Sequence, residues 1–519
     1  MTKNVTVNID LNRVEGDLEF QLDLQDDEIV DARCKGIMYR GFEQILLGRD
    51  PMDSIVLTSR ICGICGTAHM YSAALALEQI WEVEVPPLAT LVRNLCLGAE
   101  AIQSDIRHSI LMFTPDFCSP KYSDMDFHEQ AMQEFAPFQG KLYREVLNHT
   151  RKLLEIVAIF GGQWPHSSYM VPGGVVSEPT PTMAAEAIDI IHQTIRWYEE
   201  RMLGCSLDEW LAIDSADAFF SWLDTHPDTG IGLFSRAARA VGLHQIGSGA
   251  STFLSYGAYC DPDNWSYQAE NQSHLSRSGI MHYQPGQEKR LEAFDHKLIE
   301  EHVKHSWFYL YEGGRHPFEG ETQPNYMPDD QRYTWAKAPR YDGNVTQTGP
   351  LAELLIDGDP LLASLLDREG DNAWLRQFAR FHRPVRMLRQ LLDNCDQIIK
   401  TAGQPHINTV SYQQRKDGDG YGLVQAARGA LGHWVKVRDG KISKYQIITP
   451  TAWNASPKDS DDQPGHWEKS VIGLTLNDVD DPLEIGHIVR SHDACLVCTV
   501  HMLDPFNKNA QPAKKTFPV

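Results

Sequence analysis

Two cysteine pairs of the same spacing, Cys62-Gly63-Ile64-Cys65 and Cys495-Leu496-Val497-Cys498, stand near opposite ends of a 519-residue chain. Thiols three positions apart can swing to one side of a tight turn and hold one metal ion or cluster, and Gly63 and Gly66 loosen the backbone beside the first pair. A histidine follows each pair, His69 and His501. One pair alone is a weak signal. Two pairs that meet would tie the ends of the chain together. Length by itself suggests about three domains; pairing of the ends instead predicts a single interleaved body over residues 1–519. Arg60, if it lies near the first pair, would favour the thiolate form that ligates metal.

Composition narrows the function. The chain carries 47 basic and 70 acidic residues, a net charge of -23, which argues against nucleic acid and anionic membrane surfaces as partners. Cysteines 34, 96, 118, 205, 260 and 395 follow no pattern, so this is no disulfide framework, and a reducing folding compartment fits. The first residues lack a signal-peptide apolar run, and no stretch approaches the roughly 20 apolar residues of a membrane span. The expected location is cytoplasmic, or at a membrane through a partner.

Local patterning predicts an α+β fold, mainly α: a central helical bundle with small antiparallel sheets. Val5, Val7, Ile9 and Leu11, then Leu18, Phe20, Leu22 and Leu24, alternate as antiparallel strands, with a short strand near Ile29 and Val30. Leu88, Leu91, Val92, Leu95, Ala99, Ile102 and Ile106 keep the spacing of one buried helix face, opened by Pro86 and Pro87. A long helix is expected from about Ala131 to Phe160, stopped at Gly161-Gly162, and Thr180-Pro181 caps the next. Residues 244–345 read as irregular. Helical patterning returns near 361–400, a hairpin spans Trp434 to Thr449 with its turn at Asp439-Gly440, and a short helix over 482–491 delivers the second cysteine pair.

Spacing alone leaves the metal open. A structural zinc site takes four thiolates, yet zinc pairs usually lie about 15–20 residues apart. An iron–sulfur cluster, or another soft-metal site, remains possible on the same ligands. A redox Cys-x-x-Cys beside a βαβ unit does not suit the helical context.

Beyond the spacing, Arg60-Ile61-Cys62-Gly63-Ile64-Cys65 and Asp493-Ala494-Cys495-Leu496-Val497-Cys498-Thr499-Val500-His501 resemble the two signatures of nickel–iron hydrogenase large subunits. Arg13-Val14-Glu15-Gly16-Asp17, Tyr39-Arg40-Gly41-Phe42-Glu43, Ala427-Arg428-Gly429-Ala430-Leu431 and Thr449-Pro450-Thr451-Ala452-Trp453-Asn454 resemble further family segments, in family order. Residues 161–168 and 495–501 look most like the uptake group that includes cyanobacterial and high-affinity actinobacterial enzymes.

The resemblance implies heterolytic oxidation of H2 to protons and electrons, the electrons leaving through iron–sulfur clusters of a separate small subunit. It implies Cys62 and Cys495 as terminal nickel ligands, and Cys65 and Cys498 as bridges to an iron that carries carbon monoxide and cyanide. Arg428, after Ala427, would hang over the metals and reach one cyanide, held by Asp116 and Asp493; Thr451 would bind the other. Glu15 would be the first proton carrier, working with a terminal cysteine such as Cys495. Glu43, the carbonyl of Ile447 and His501 would form a magnesium site. His69 would stand near the metals, and His166 would face the nearest cluster of the small subunit. Read alone, Arg428 is an ordinary salt-bridge arginine, Thr451 a turn residue, and each histidine a satisfied polar group.

Departures from the family pattern are Asp17, where many relatives have histidine, and Ala427 and Ala494, where proline is usual. Rival readings are a hydrogen-sensing regulatory subunit with the same metals, the quinone-site subunit of respiratory complex I, whose relatives lack the four cysteines, and a structural zinc protein. Residues 502–519 read as a maturation tail that an endopeptidase removes after His501. A higher oligomer of heterodimers is also compatible.

Overall fold

Strands Asn4–Leu11, Leu18–Gln25 and Glu28–Gly36 form an antiparallel meander in sequence order. The central strand buries Leu18, Phe20, Leu22 and Leu24 in strict alternation, as its period-two pattern requires. The first strand is an edge, and of its apolar residues only Ile9 is fully buried. The third is a full strand rather than the short one expected at Ile29 and Val30. The computed structural model describes residues 4–268, 272–329, 331–476, 478 and 481–495. Cys498, His501 and the tail 502–519 lie outside the described residues.

The helices Pro87–Arg107, Lys141–Gly161, Pro181–Tyr198 and Ala373–Lys400 pack on one another as the helical centre. Thr180 caps the third of these by accepting from the Met183 N–H. The single helix expected over 131–160 is two helices, His128–Phe135 and Lys141–Gly161. Between them Phe138 takes a positive φ of 62°. A Cβ on Gly140 would lie 2.4 Å from the Glu134 carbonyl oxygen, so only glycine lets the chain double back there. Residues 244–345 are less irregular than expected. Thr252–Tyr256, Ser278–His282 and Arg290–Glu292 join Thr346–Thr348 in a four-stranded sheet, and Ile299–His302 pairs with Ala338–Tyr341. These strands are short and separated by long loops, so no periodic run marks them.

The expected hairpin exists as Gly429–Arg438 and Lys441–Ile448, and a third strand, Gly418–Ala426, completes its sheet. That strand carries Gly418, Gly420 and Gly422 at period two, so the first part of one face lacks side chains. The helix Gly66–Trp81 lies on this face so closely that a Cβ at Gly422 would sit 1.9 Å from the Ser72 carbonyl oxygen. Ser72 Oγ in turn donates to the Gly422 carbonyl at 2.7 Å. One apolar cluster runs from Ile9 to Cys495 and takes in Cys62 and Cys65. The fold is therefore α+β and mainly helical, with small sheets. No described helix is long and apolar enough to cross a membrane.

Because the helix backbone occupies the space a methyl group would need, Gly422→Ala is expected to lower stability by at least about 1–3 kcal/mol, checked by thermal unfolding of the purified protein.

Candidate metal centre

The turn before the helix Gly66–Trp81 brings Cys62 and Cys65 together, and Cys65 is the N-cap of that helix. The helix N-terminus favours thiolate over thiol. The Cys62 sulfur accepts from the N–H groups of Ile64 at 3.3 Å and Cys65 at 3.4 Å. Glu100, on the helix Pro87–Arg107, accepts from the Thr67 N–H at 3.0 Å and the Ala68 N–H at 3.3 Å, and so satisfies the next donors of the cysteine helix. Burial pushes the Glu100 carboxyl up to about 7. Cys495 arrives after the helix Leu483–Arg490 and pairs as an isolated parallel bridge with Glu15. Its sulfur lies 3.6 Å from that of Cys62, and the sulfurs of Cys62, Cys65 and Cys495 all lie within 4.8 Å of one another. All three residues are buried.

The cation over these sulfurs is Arg428 and not Arg60. The exposed Arg60 side chain turns back to the Val56 carbonyl and to Ser59 Oγ. Arg428 occupies the two-residue tip, Ala427-Arg428, of the hairpin in which Ala426 pairs with Gly429. Burial works against its charge, but Asp493 and the sulfurs of Cys495, Cys62 and Cys65 hold its basicity well above that of a free guanidinium. Its Nε lies 3.0 Å from Asp493 Oδ1. Its buried Nη1 has no hydrogen-bond partner among the described residues, which fits an acceptor belonging to a bound group.

Asp493 is in the left-handed region, φ 59°. Burial opposes its ionisation, but Arg428 and His108 keep the carboxyl well below the usual carboxylate range. His108 Nδ1 lies 3.0 Å from Asp493 Oδ1. Asp116, expected to share the holding of Arg428, lies elsewhere. Arg490 Nε donates to its Oδ2 at 2.9 Å, and Arg13 Nη2 donates to its Oδ1. The reason is helical geometry: Asp116 sits in the turn Thr114–Cys118, beyond the π-helical segment His108–Phe113, and faces the helix Leu483–Arg490.

Glu15 is half-buried, and its N–H donates to the Ala494 carbonyl at 3.1 Å. Burial and the nearby Cys62 raise its pKa, with Arg428 opposing. Thr451 Oγ1 accepts from the Cys495 N–H at 3.2 Å. His69 is buried on the cysteine helix, its Nδ1 3.1 Å from His433 Nε2. Burial lowers its pKa to about 4, with Cys62 opposing, so His69 is neutral at pH 7. His166, half-buried, has Nδ1 3.0 Å from the Ser59 carbonyl oxygen, close in sequence to the first cysteine pair. Glu43 Oε1 accepts from the Ile447 N–H at 2.8 Å. Glu43 and Ile447 border a cavity of about 30 Å³ that Glu301 and Lys337 also line, enough for a water-sized occupant. Their expected companion, His501, lies outside the described residues, as does Cys498.

Sequence reasoning passed over Glu100, Asp105, His108, Arg380, Arg383 and His433. Arg383 donates to both oxygens of Asp105 at 2.9 Å, to Glu353 at 2.6 Å and to the Ala427 carbonyl at 2.5 Å. Arg380 donates to the Ser491 carbonyl at 2.8 Å. The available signal was polar residues spaced at helical period within segments otherwise apolar enough to be core.

A nickel-dependent hydrogenase family profile matches residues 40–136 and 233–501. The chain belongs to this family. It is the catalytic large subunit of such an enzyme, which oxidises H2. It is 31% identical to the periplasmic [NiFeSe] hydrogenase large subunit of Desulfomicrobium baculatum, over 96% of this chain and 95% of that protein. Identity to the uptake hydrogenase large subunit of Rhodobacter capsulatus is 26%, over 95% and 94% of the two chains. The solved Ni-Fe-Se hydrogenase of Desulfovibrio vulgaris Hildenborough in its reduced state superposes with a TM-score of 0.80 at 28% identity, over 96% of this chain and 100% of that one.

Burial pushes the Asp116 carboxyl up, but Arg490, Arg13 and His487 outweigh it and hold it at about 2. A carboxyl held below its ordinary value of about 3.9 adds stability that is full above that pH and is lost as pH falls toward about 2. Asp116→Asn is therefore expected to cost about 3–5 kcal/mol near neutrality by leaving Arg490 buried and unpaired. Denaturant unfolding of the two proteins should keep its full difference down to about pH 4 and converge only as pH falls toward about 2, and the infrared bands of the assembled metal centre should be unchanged.

Proposed function

We propose that Cys62, Cys65, Cys495 and Cys498 would hold a nickel–iron centre whose iron would carry carbon monoxide and cyanide, Cys62 and Cys495 serving as ligands of nickel and Cys65 and Cys498 as ligands of both metals. The observation that carries this reading is the set of three buried sulfurs within 4.8 Å of one another, beneath a guanidinium whose Nη1 has no partner among the described residues. Soft thiolates in a dry pocket suit nickel and low-spin iron. When bound, such a centre supplies the two-electron chemistry for splitting H2.

The chain's own groups supply the rest. Arg428 donates toward a diatomic ligand and places fixed positive charge where negative charge develops. Asp493 orients it from its own side of the guanidinium. Thr451 holds the Cys495 backbone through the observed N–H bond and leaves its own hydroxyl proton for the second cyanide. Cys495 Sγ accepts the proton, and Glu15 carries it outward; burial raises the Glu15 pKa, which brings its two protonation states nearer to working pH. Neutral His69 lies beside the metals. Glu43, the Ile447 carbonyl and His501 bind magnesium, an oxygen-seeking ion, next to the small cavity described above.

A hydrogenase large subunit implies a small-subunit partner. In this reading the partner carries the iron–sulfur clusters, His166 faces the nearest of them, and an endopeptidase removes residues 502–519 once the metal is in. Likeness to the uptake group, a location set by the partner and a higher oligomer of heterodimers belong to the same proposal.

The test is metal analysis and infrared spectroscopy of the purified complex. Nickel and iron are expected in equal amounts within this subunit, with carbon monoxide and cyanide bands; zinc alone in an active preparation would overturn the assignment. Arg428→Lys keeps a charge but loses the planar fork. It is expected to retain both metals and to lower H2 oxidation by roughly 10²-fold, the scale of one preorganised electrostatic group.

A further inference from the structure

His108 begins the π-helical segment that follows Pro87–Arg107, is buried, and is absent from the chemistry assigned above. Both of its ring nitrogens meet acceptors. Nδ1 is 3.0 Å from Asp493 Oδ1, and Nε2 is 2.6 Å from the Arg490 carbonyl oxygen. A neutral imidazole has one N–H and one acceptor nitrogen, so it can satisfy only one of these contacts; imidazolium, with two N–H groups, satisfies both. The two acceptors belong to one turn. The Asp493 N–H donates to that same Arg490 carbonyl at 3.1 Å, and Asp493 closes the turn with its positive φ of 59°. His108 therefore spans the turn from the main-chain carbonyl at its start to the carboxylate at its end.

We propose that His108 is a positioning residue, held as an imidazolium, that clamps the Arg490–Asp493 turn and thereby fixes Asp493 against Arg428 and delivers Cys495 to the metal centre. Asp493 Oδ1 then receives two cations, since Arg428 Nε lies 3.0 Å from the same oxygen. Burial is the largest influence on His108 and lowers its pKa; of the charged groups facing it, Asp493 favours the charge and Arg380 and Arg428 oppose it. Against burial stands the geometry, an acceptor at hydrogen-bond distance from each ring nitrogen, and charge-assisted hydrogen bonds strengthen in a buried site. Asp493 takes the left-handed conformation that aspartate tolerates better than most residues, and the clamp holds that turn from both its ends. The proposal rests on the roles of Arg428 and Asp493 given above; its first test does not.

Neutron diffraction from deuterium-exchanged crystals of the assembled enzyme is expected to show deuterons on both Nδ1 and Nε2 of His108; a deuteron on one nitrogen only would overturn the imidazolium whatever Arg428 does. The second test compares His108→Gln, Asp493→Asn and the double variant, read by turnover and by the infrared bands of the metal ligands. His108→Gln is expected to lower turnover roughly 10- to 100-fold, the size of one charge-assisted hydrogen bond, and to shift the cyanide bands. In the Asp493→Asn background it should add almost nothing. Full additivity of the two changes, or unmoved bands in His108→Gln, would show that the histidine does not act through Asp493. If His108→Gln fails to assemble, the neutron result decides.

Discussion

Arg376, Arg380 and Arg383 lie at i, i+4 and i+7 of the helix Ala373–Lys400, and each reaches a main-chain carbonyl of a different or distant segment: Gly247 at 2.5 Å, Ser491 at 2.8 Å and Ala427 at 2.5 Å. Residues three and four apart share a helix face, so one rigid rod grips both the segment before Arg428 and the segment before Asp493. The two partners of the central ion pair are thus placed by a common scaffold. Buried guanidinium groups are costly unless paired, and Asp371, Asp105 and Glu353 meet that need for Arg376 and Arg383. Removing any of these acids would leave a buried guanidinium without a carboxylate partner.

The charge pattern around the sulfurs is asymmetric. On one side stand fixed cations, Arg428 and the arginines behind it. On the other stand His69 and His433, both buried and both held neutral by burial. His433 continues to Tyr445, whose hydroxyl lies 2.9 Å from His433 Nδ1. Anionic sulfur is stabilised by Arg428 and by the N–H groups of Ile64 and Cys65, not by the neutral histidines. Glu100 adds a third element, an acid that caps the cysteine helix rather than serving the metals. A site of this kind is preorganised by groups two contacts away from the reacting atoms.

The elements with a strong period were legible in the sequence: the N-terminal strands, the helix after Pro86-Pro87, the cap at Thr180 and the hairpin turning at Asp439-Gly440. Those that failed did so for identifiable reasons. Apolar periodicity ran straight through 136–140, where a close approach to the Glu134 carbonyl admits only glycine at 140. The strand Gly418–Ala426 was invisible because its first part alternates glycines with other residues, and glycines carry no hydropathy signal. The cysteine pairs named Cys62, Cys65 and Cys495, and the motif around Arg428 named its guanidinium, but the acids were harder. Asp493 was found through its motif neighbours, whereas Asp116 was credited with a partner that Asp493 holds. Asp105 and His108 were missed because an amphipathic reading assigns the polar residues of a helix to water. The helix Pro87–Arg107 is buried on nearly every side, and of its polar residues Glu100 holds the start of the cysteine helix while Asp105 holds Arg383.

The separation of 433 residues between Cys62 and Cys495 is also an interval of time. At synthesis rates of roughly 5–20 residues per second, the first pair of thiols leaves the ribosome on the order of 20–90 s before the second. During that interval Cys62 and Cys65 stand without the third sulfur of the cluster, with neither the Asp493 turn nor the parallel contact between Glu15 and Cys495 in place. The cluster of three sulfurs exists only once Cys495 has been made, so a metal held by all three would enter after nearly the whole chain is synthesised.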